Sequence, residues 1–123
     1  MIMAGQLIQY IVVRADLLKT LNWPVGAVIA QACHACCAVT YLFRNDPHTE
    51  EYLKDLDNMH KVVLEQVPDE SSLHNLESKL KEDNILHKMW TEQPENFPTC
   101  IVVKPYPKEV VQKYFRKLKL FKG

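Results

Sequence analysis

The chain has 123 residues, 47% of them hydrophobic and 24% charged, and its positive and negative side chains balance to a net charge of zero. That length suits one domain, spanning 1–123, with a real core, and the composition is that of an ordinary globular protein. It excludes a strongly basic or acidic protein, a disordered chain and, since no run of ~18 uninterrupted apolar residues appears, a plain membrane span.

Arg14 follows the first apolar run instead of preceding it, so no leader is expected and the cytoplasm is the expected location. Charge is unevenly distributed. Residues 45–83 carry eleven acids against four bases, while 84–123 carry eight bases against three acids. A cationic end on a neutral chain suits a polyanionic partner or the solvated face of a last helix.

In chain order, Gln6 to Arg14 is an apolar, β-branched and aromatic run that predicts a central strand. Asp16 to Asn22 reads as a loop. Pro24 suits the first turn of a helix running to Phe43 or Arg44, so rich in small and apolar residues that it reads as a buried spine. Asp46-Pro47 predicts an N-cap and the start of a second, acidic helix.

Lys61 to Val67 is a second strand, closed by Pro68. Asp69 caps a third helix with Leu73, Leu76 and Leu80 as its inner stripe, and Asn84 stops it. Ile85 to Thr91 and Thr99 to Val103 predict two further strands. The seven residues between them are too few for a parallel crossover, so the pair is expected to be antiparallel. Pro107 opens a last helix with Val110, Val111, Tyr114, Phe115 and Leu118 inside. The expected fold is therefore α/β, a three-layer α/β/α domain with a mixed four-stranded sheet. The apolar tail at Leu118, Leu120 and Phe121 either folds back or meets a second copy, leaving a homodimer possible.

Two polar groups interrupt the spine. Gln31 and His34 lie three residues apart on one helix face, where they are either satisfied core groups or the lining of a site. Cys33, Cys36 and Cys37 share the same helix, where a mutual disulfide is geometrically difficult and no second ligand pair completes a metal set. They are expected to pack as small hydrophobes.

The fragments Val13-Arg14-Ala15-Asp16-Leu17, Gly26 to Ala35, Lys61-Val62-Val63-Leu64, Val67-Pro68-Asp69-Glu70 and Lys104-Pro105-Tyr106-Pro107, in this order, closely resemble the type II peptidyl-tRNA hydrolases, and Glu92 to Asn96 followed by Pro105 to Glu109 resembles a divergent branch of them. The resemblance implies a mixed four-stranded sheet between helices and cleavage of the ester joining a peptide to tRNA, with no metal or other cofactor. Such a reaction needs a positioned water, a group to deprotonate it and donors for the oxyanion.

Carried over by position, the family's glutamine and histidine are Gln31 and His34, and the arginine and aspartate after the first strand are Arg14 and Asp16. The family's lysine falls on Ala27 and its third-strand aspartate on His87. Its threonine falls on Thr91, or on Glu92 if one residue is deleted. Lys19 and His87 are the residues that would compensate. A catalytic set of Gln31, His34, His87 and Thr91 is therefore expected, with Arg14, Asp16 and Lys19 on the substrate. Lys104, Lys113, Arg116 and Lys117 are expected on the RNA backbone. The alternative is a catalytically inactive member that binds tRNA or a protein. Neither function requires a membrane.

Overall fold

A computed structural model of the chain describes residues 5–66 and 69–123, so the predicted closure of the second strand at Val67 and Pro68 lies outside the described residues. The architecture is organised around β1 (Leu7–Arg14), whose two faces are both covered. Alternation along the strand sends Ile8, Tyr10 and Val12 into one core and Ile11 and Val13 into the other.

β1 pairs in parallel with β2 (Lys61–Gln66) and antiparallel with β4 (Phe97–Val103), which in turn forms an antiparallel hairpin with β3 (His87–Glu92). The sheet is mixed, as expected, but it has six strands and not four. The additional ones are β5 (Tyr106–Pro107), against β1, and β6 (Lys119–Leu120), against β2, giving the order β3-β4-β1-β2-β6. Two-residue strands carry no alternation of their own; β6 exists because the chain docks on the free edge of β2, and β5 because it docks on the end of β1 that β4 leaves unpaired. The tail folds back, with the Phe121 N–H bonded to the Val63 carbonyl at 2.9 Å.

α2 (Val25–Leu42) packs on one face of the sheet after a short α1 (Asp16–Lys19). It is not the buried spine its composition suggests. Val28, Gln31, Ala35 and Val39 form its inner stripe, while Val25, Ile29, Tyr41 and Leu42 are 54–66% exposed. By length and composition, with a mean hydropathy of 1.6 over 18 residues, α2 would suit a bilayer; here its inner stripe lies against β3 and β4.

α3 (Pro47–Leu53) begins at the predicted cap, where the Asp46 carboxylate accepts from the His48 and Thr49 N–H groups at 2.9 and 3.2 Å. α4 (Glu70–Glu82) covers the other face. Asp69 caps it through the Ser72 N–H, and Asn84, at φ 56°, ends it in the left-handed conformation that asparagine tolerates. Leu73 and Leu80 are fully buried in the α4-side core with Ile101, Val103 and Phe115. Leu80→Ala is expected to cost ~3 kcal/mol through lost burial and a residual cavity, measured as a lower denaturant midpoint.

The predicted last helix is broken into α5 (Lys108–Val111) and a tight turn at Gln112–Tyr114. The tighter turn coincides with Phe115 stacking on Tyr10, ring centroids 4.4 Å apart, which a continuous helix would have to match at its own period.

Candidate active site

The C-terminal end of β1, where open α/β sheets place their sites, holds Arg14. Its guanidinium grips Asp16 in a bidentate pair, Nε to Oδ1 at 3.0 Å and Nη2 to Oδ2 at 2.8 Å. Nη1 donates to the Pro98 carbonyl at 2.9 Å and reaches Glu70, in the first turn of α4, at 3.5 Å. The guanidinium carbon also lies 4.6 Å from the Phe97 ring centre. Arg14, 4% exposed, is thus a strut tying β1 to β4 and α4, with its charge already committed.

Next to it, Pro98 has no N–H for the ladder, and the β3–β4 register shifts between Trp90 and Thr91. Trp90 faces Cys100 and Thr91 faces Pro98, which leaves Thr99 unpaired in the bulge. The Thr99 hydroxyl donates to Gln31 Oε1 at 3.2 Å, and Gln31 Nε2 donates to Glu92 Oε2 at 3.2 Å. Trp90 Nε1 lies 3.4 Å from Glu92 Oε1. Gln31 itself is 2% exposed, a satisfied core group; the half-buried carboxylate it holds is Glu92.

Aromatic rings frame this pair. His34 is exposed and stacks on Trp90 with centroids 4.8 Å apart and planes 20° from parallel. Trp23 stacks on Phe97 at 5.6 Å, and Phe97 is the strand partner of Glu92. The structure therefore brings together Arg14, Asp16, Gln31 and His34 around one corner, with Glu92, Thr99, Trp90, Phe97 and Trp23 added. A carboxylate fixed by two donors and open on one side can orient a water and take its proton.

The remaining expected residues fall elsewhere. His87 is on the opposite face of the sheet, bonded to Glu77 of α4 at 3.1 Å and to the Ile85 carbonyl at 2.7 Å, because its register against Val103 turns it to the α4-side core. Thr91 sits between Trp90 and Glu92, both of which face Gln31 and His34, so strand alternation turns it away. Lys19 pairs with Glu65 of β2 at 3.6 Å, beside the β6 edge and across the sheet from Glu92.

Lys104 is 2% exposed and is not part of a basic surface. Its Nζ lies 3.0 Å from the Asp46 carboxylate and 3.1 Å from the Pro105 carbonyl, over the Tyr106 ring. Burial pulls its pKa below the usual lysine value against the opposing hydrogen bond and charge of Asp46. Lys113, Arg116 and Lys117 do lie together. With Lys79 they line a groove of about 830 Å³ between α4 and the C-terminal segment, which Glu82 and Asp83 also border.

Among the cysteines, Cys33 and Cys37 are exposed and Cys100 is buried, its thiol pushed up to about 12 by burial. No group of three or more His, Cys, Asp or Glu able to hold a metal ion occurs among the described residues. What sequence reasoning missed is chiefly Glu92 as the site's carboxylate and Thr99 beneath it. The predicted third strand stops at Thr91, one residue short of Glu92, while the signal for Thr99 was Pro98 just before it, which foretells a bulge in the ladder.

The chain belongs to the family Peptidyl-tRNA hydrolase PTH2, which it matches over residues 7–121. Two curated proteins, from mouse and from human, each named "Putative peptidyl-tRNA hydrolase PTRHD1", are 51% identical to it over 117 residues, or 94% of this chain and 83% of theirs.

Proposed function

We propose that this chain hydrolyses the ester between a peptide and tRNA, with Glu92 as the general base. The observation that carries the reading is the Glu92 carboxylate, held by Gln31 and Trp90 beside the exposed ring of His34 in a member of this family. Gln31 acts as a positioning residue: it orients Glu92 and is itself fixed by Thr99. The water attacks the ester carbonyl as Glu92 takes its proton, and Glu92 returns that proton to the ribose oxygen as its bond to the carbonyl carbon breaks, so that ribose leaves as the hydroxyl and the peptide as its acid. Incubating the purified chain with peptidyl-tRNA and following release of the peptide tests it, with catalytic turnover the expected result.

A second reading, a tRNA-binding module without turnover, is favoured by one observation. The guanidinium that converges on the corner, that of Arg14, is committed to Asp16, Pro98 and Glu70, while Ala27 stands where the family resemblance places a lysine. Under that reading the chain retains peptidyl-tRNA and releases no peptide at any protein concentration.

In either case the RNA body is expected in the groove lined by Lys79, Lys113, Arg116 and Lys117. Arg116→Glu combined with Lys117→Glu, both exposed, should weaken tRNA binding and flatten its log–log salt dependence by about 0.7–0.9 for each phosphate no longer neutralised. Unchanged affinity and slope in a filter-binding series would place the RNA elsewhere.

A further inference from the structure

The His34–Trp90 stack lies outside the proton-transfer chemistry, yet it is built like a binding surface. The His34 ring has one face against Trp90, and the residue is exposed to solvent. Its imidazole has no hydrogen-bond partner among the described residues, so a stacked ligand would meet both a π-face and an open donor or acceptor. Trp90 also reaches the Glu92 carboxylate through its indole N–H, which ties the stack to the reacting group through a single side chain.

Charge at the corner points the same way. Glu92, Asp16 and Glu70 are acidic, and the guanidinium of Arg14 is committed among Asp16, Glu70 and Pro98. That guanidinium is not free to meet a phosphate, whereas a flat, uncharged ring does not need it. Unpaired bases are held on aromatic faces in this way, with little dependence on their identity or charge.

We infer that the exposed face of the His34–Trp90 stack seats an unpaired nucleobase by stacking and not by charge, namely the terminal adenine of the tRNA acceptor strand. This rests on the hydrolase reading for the identity of the strand: the ester is on the ribose of that same nucleotide, and seating its base on His34 brings the ester towards Glu92. Phosphates further along the strand are left to the distant basic groove.

The two tryptophans of the chain, Trp23 and Trp90, both stand at this corner, so intrinsic fluorescence reports on it directly. Titrating the full chain with adenosine and with the trinucleotide CpCpA should give saturable quenching, with an affinity that barely changes between low and high salt. His34→Ala, an exposed change, should weaken both by tenfold or more, while Trp90→Phe, which keeps a ring, should retain binding as reported by Trp23. Arg116→Glu with Lys117→Glu should leave adenosine binding untouched.

Absence of saturable quenching, equal quenching in His34→Ala, or a steep loss of adenosine affinity with salt would each overturn the inference. Peptidyl-tRNA cleavage, measured on the same preparation, separates the two claims. Turnover without nucleoside binding removes the stacking seat and leaves the hydrolase, whereas nucleoside binding without turnover removes the hydrolase and leaves the seat.

Discussion

Glu92→Gln is expected to lower peptidyl-tRNA cleavage by ~10²–10⁴-fold, the range over which a positioned general base contributes. The substitution keeps the size and the capacity to accept a bond from Gln31 Nε2 at 3.2 Å, and it removes the ability to take a proton. The loss should therefore fall on kcat, with KM nearly unchanged. Gln31→Ala should behave differently. It frees Glu92 and leaves the buried Thr99 hydroxyl only the longer bonds to the Trp90 carbonyl at 3.5 Å and the Cys100 sulfur at 3.8 Å, so a smaller loss of rate is expected together with ~1 kcal/mol of lost stability. A Glu92→Gln chain as active as its parent would leave the carboxylate a structural partner of Gln31 and nothing more.

The contrast between Gln31 and Glu92 illustrates what the sequence can reveal. Gln31 stands out because a polar residue interrupts an apolar helix, and that conflict is visible without a structure. Glu92 does not stand out, since a carboxylate in a half-buried hairpin strand looks like solvated surface. Its place follows from strand alternation, since Glu92 lies two residues from Trp90 and shares its α2-facing side, while the bulge beside Pro98 brings Thr99 to Gln31. His87, which falls on the family's aspartate position when no gap is opened, has the opposite fate for the same reason, as its register against Val103 sends it to α4.

At the level of the fold, the long patterned elements β1, α2, α3, β2, α4 and the β3–β4 hairpin were legible from periodicity and caps. β5, β6 and the broken last helix were not. They are set by docking against Leu7, Leu64 and Tyr10, partners that lie far away in the chain. The burial of α2 was overstated for a related reason: an apolar helix shows which residues can be buried, not how many of its faces the rest of the chain covers.

Lys104 is where a charge run misled most, and it carries the largest expected effect on stability. Burial pushes the Asp46 carboxyl up, but the hydrogen bond and charge of Lys104 and the N–H groups of Thr49 and His48 outweigh it and hold its pKa below the ordinary 3.8. Asp46 therefore contributes stability that is present above that value and is lost as pH falls through its lower folded value. Lys104 is opposite in sense. Its folded pKa lies below 10.5, so the unfolded chain binds the proton more readily, and the folded state gains stability as pH rises through that window.

Asp46→Ala removes the partner, leaving the ammonium buried with only the Pro105 carbonyl, His48 Nδ1 and the Tyr106 ring, and it uncaps α3 as well. It is expected to cost ~3–5 kcal/mol at neutral pH, of which ~1 is the cap. Because the ammonium has lost its opposing carboxylate, the variant should regain stability more steeply than its parent as the pH is raised. Lys104→Met introduced into the Asp46→Ala chain should recover most of the loss, leaving about the ~1 kcal/mol of the missing cap, since an apolar side chain of similar length needs no partner there. Denaturant midpoints of the parent, the two single variants and the double variant complete the cycle. Equal losses in Asp46→Ala and in the double variant would assign the whole effect to the cap and none to the stranded charge.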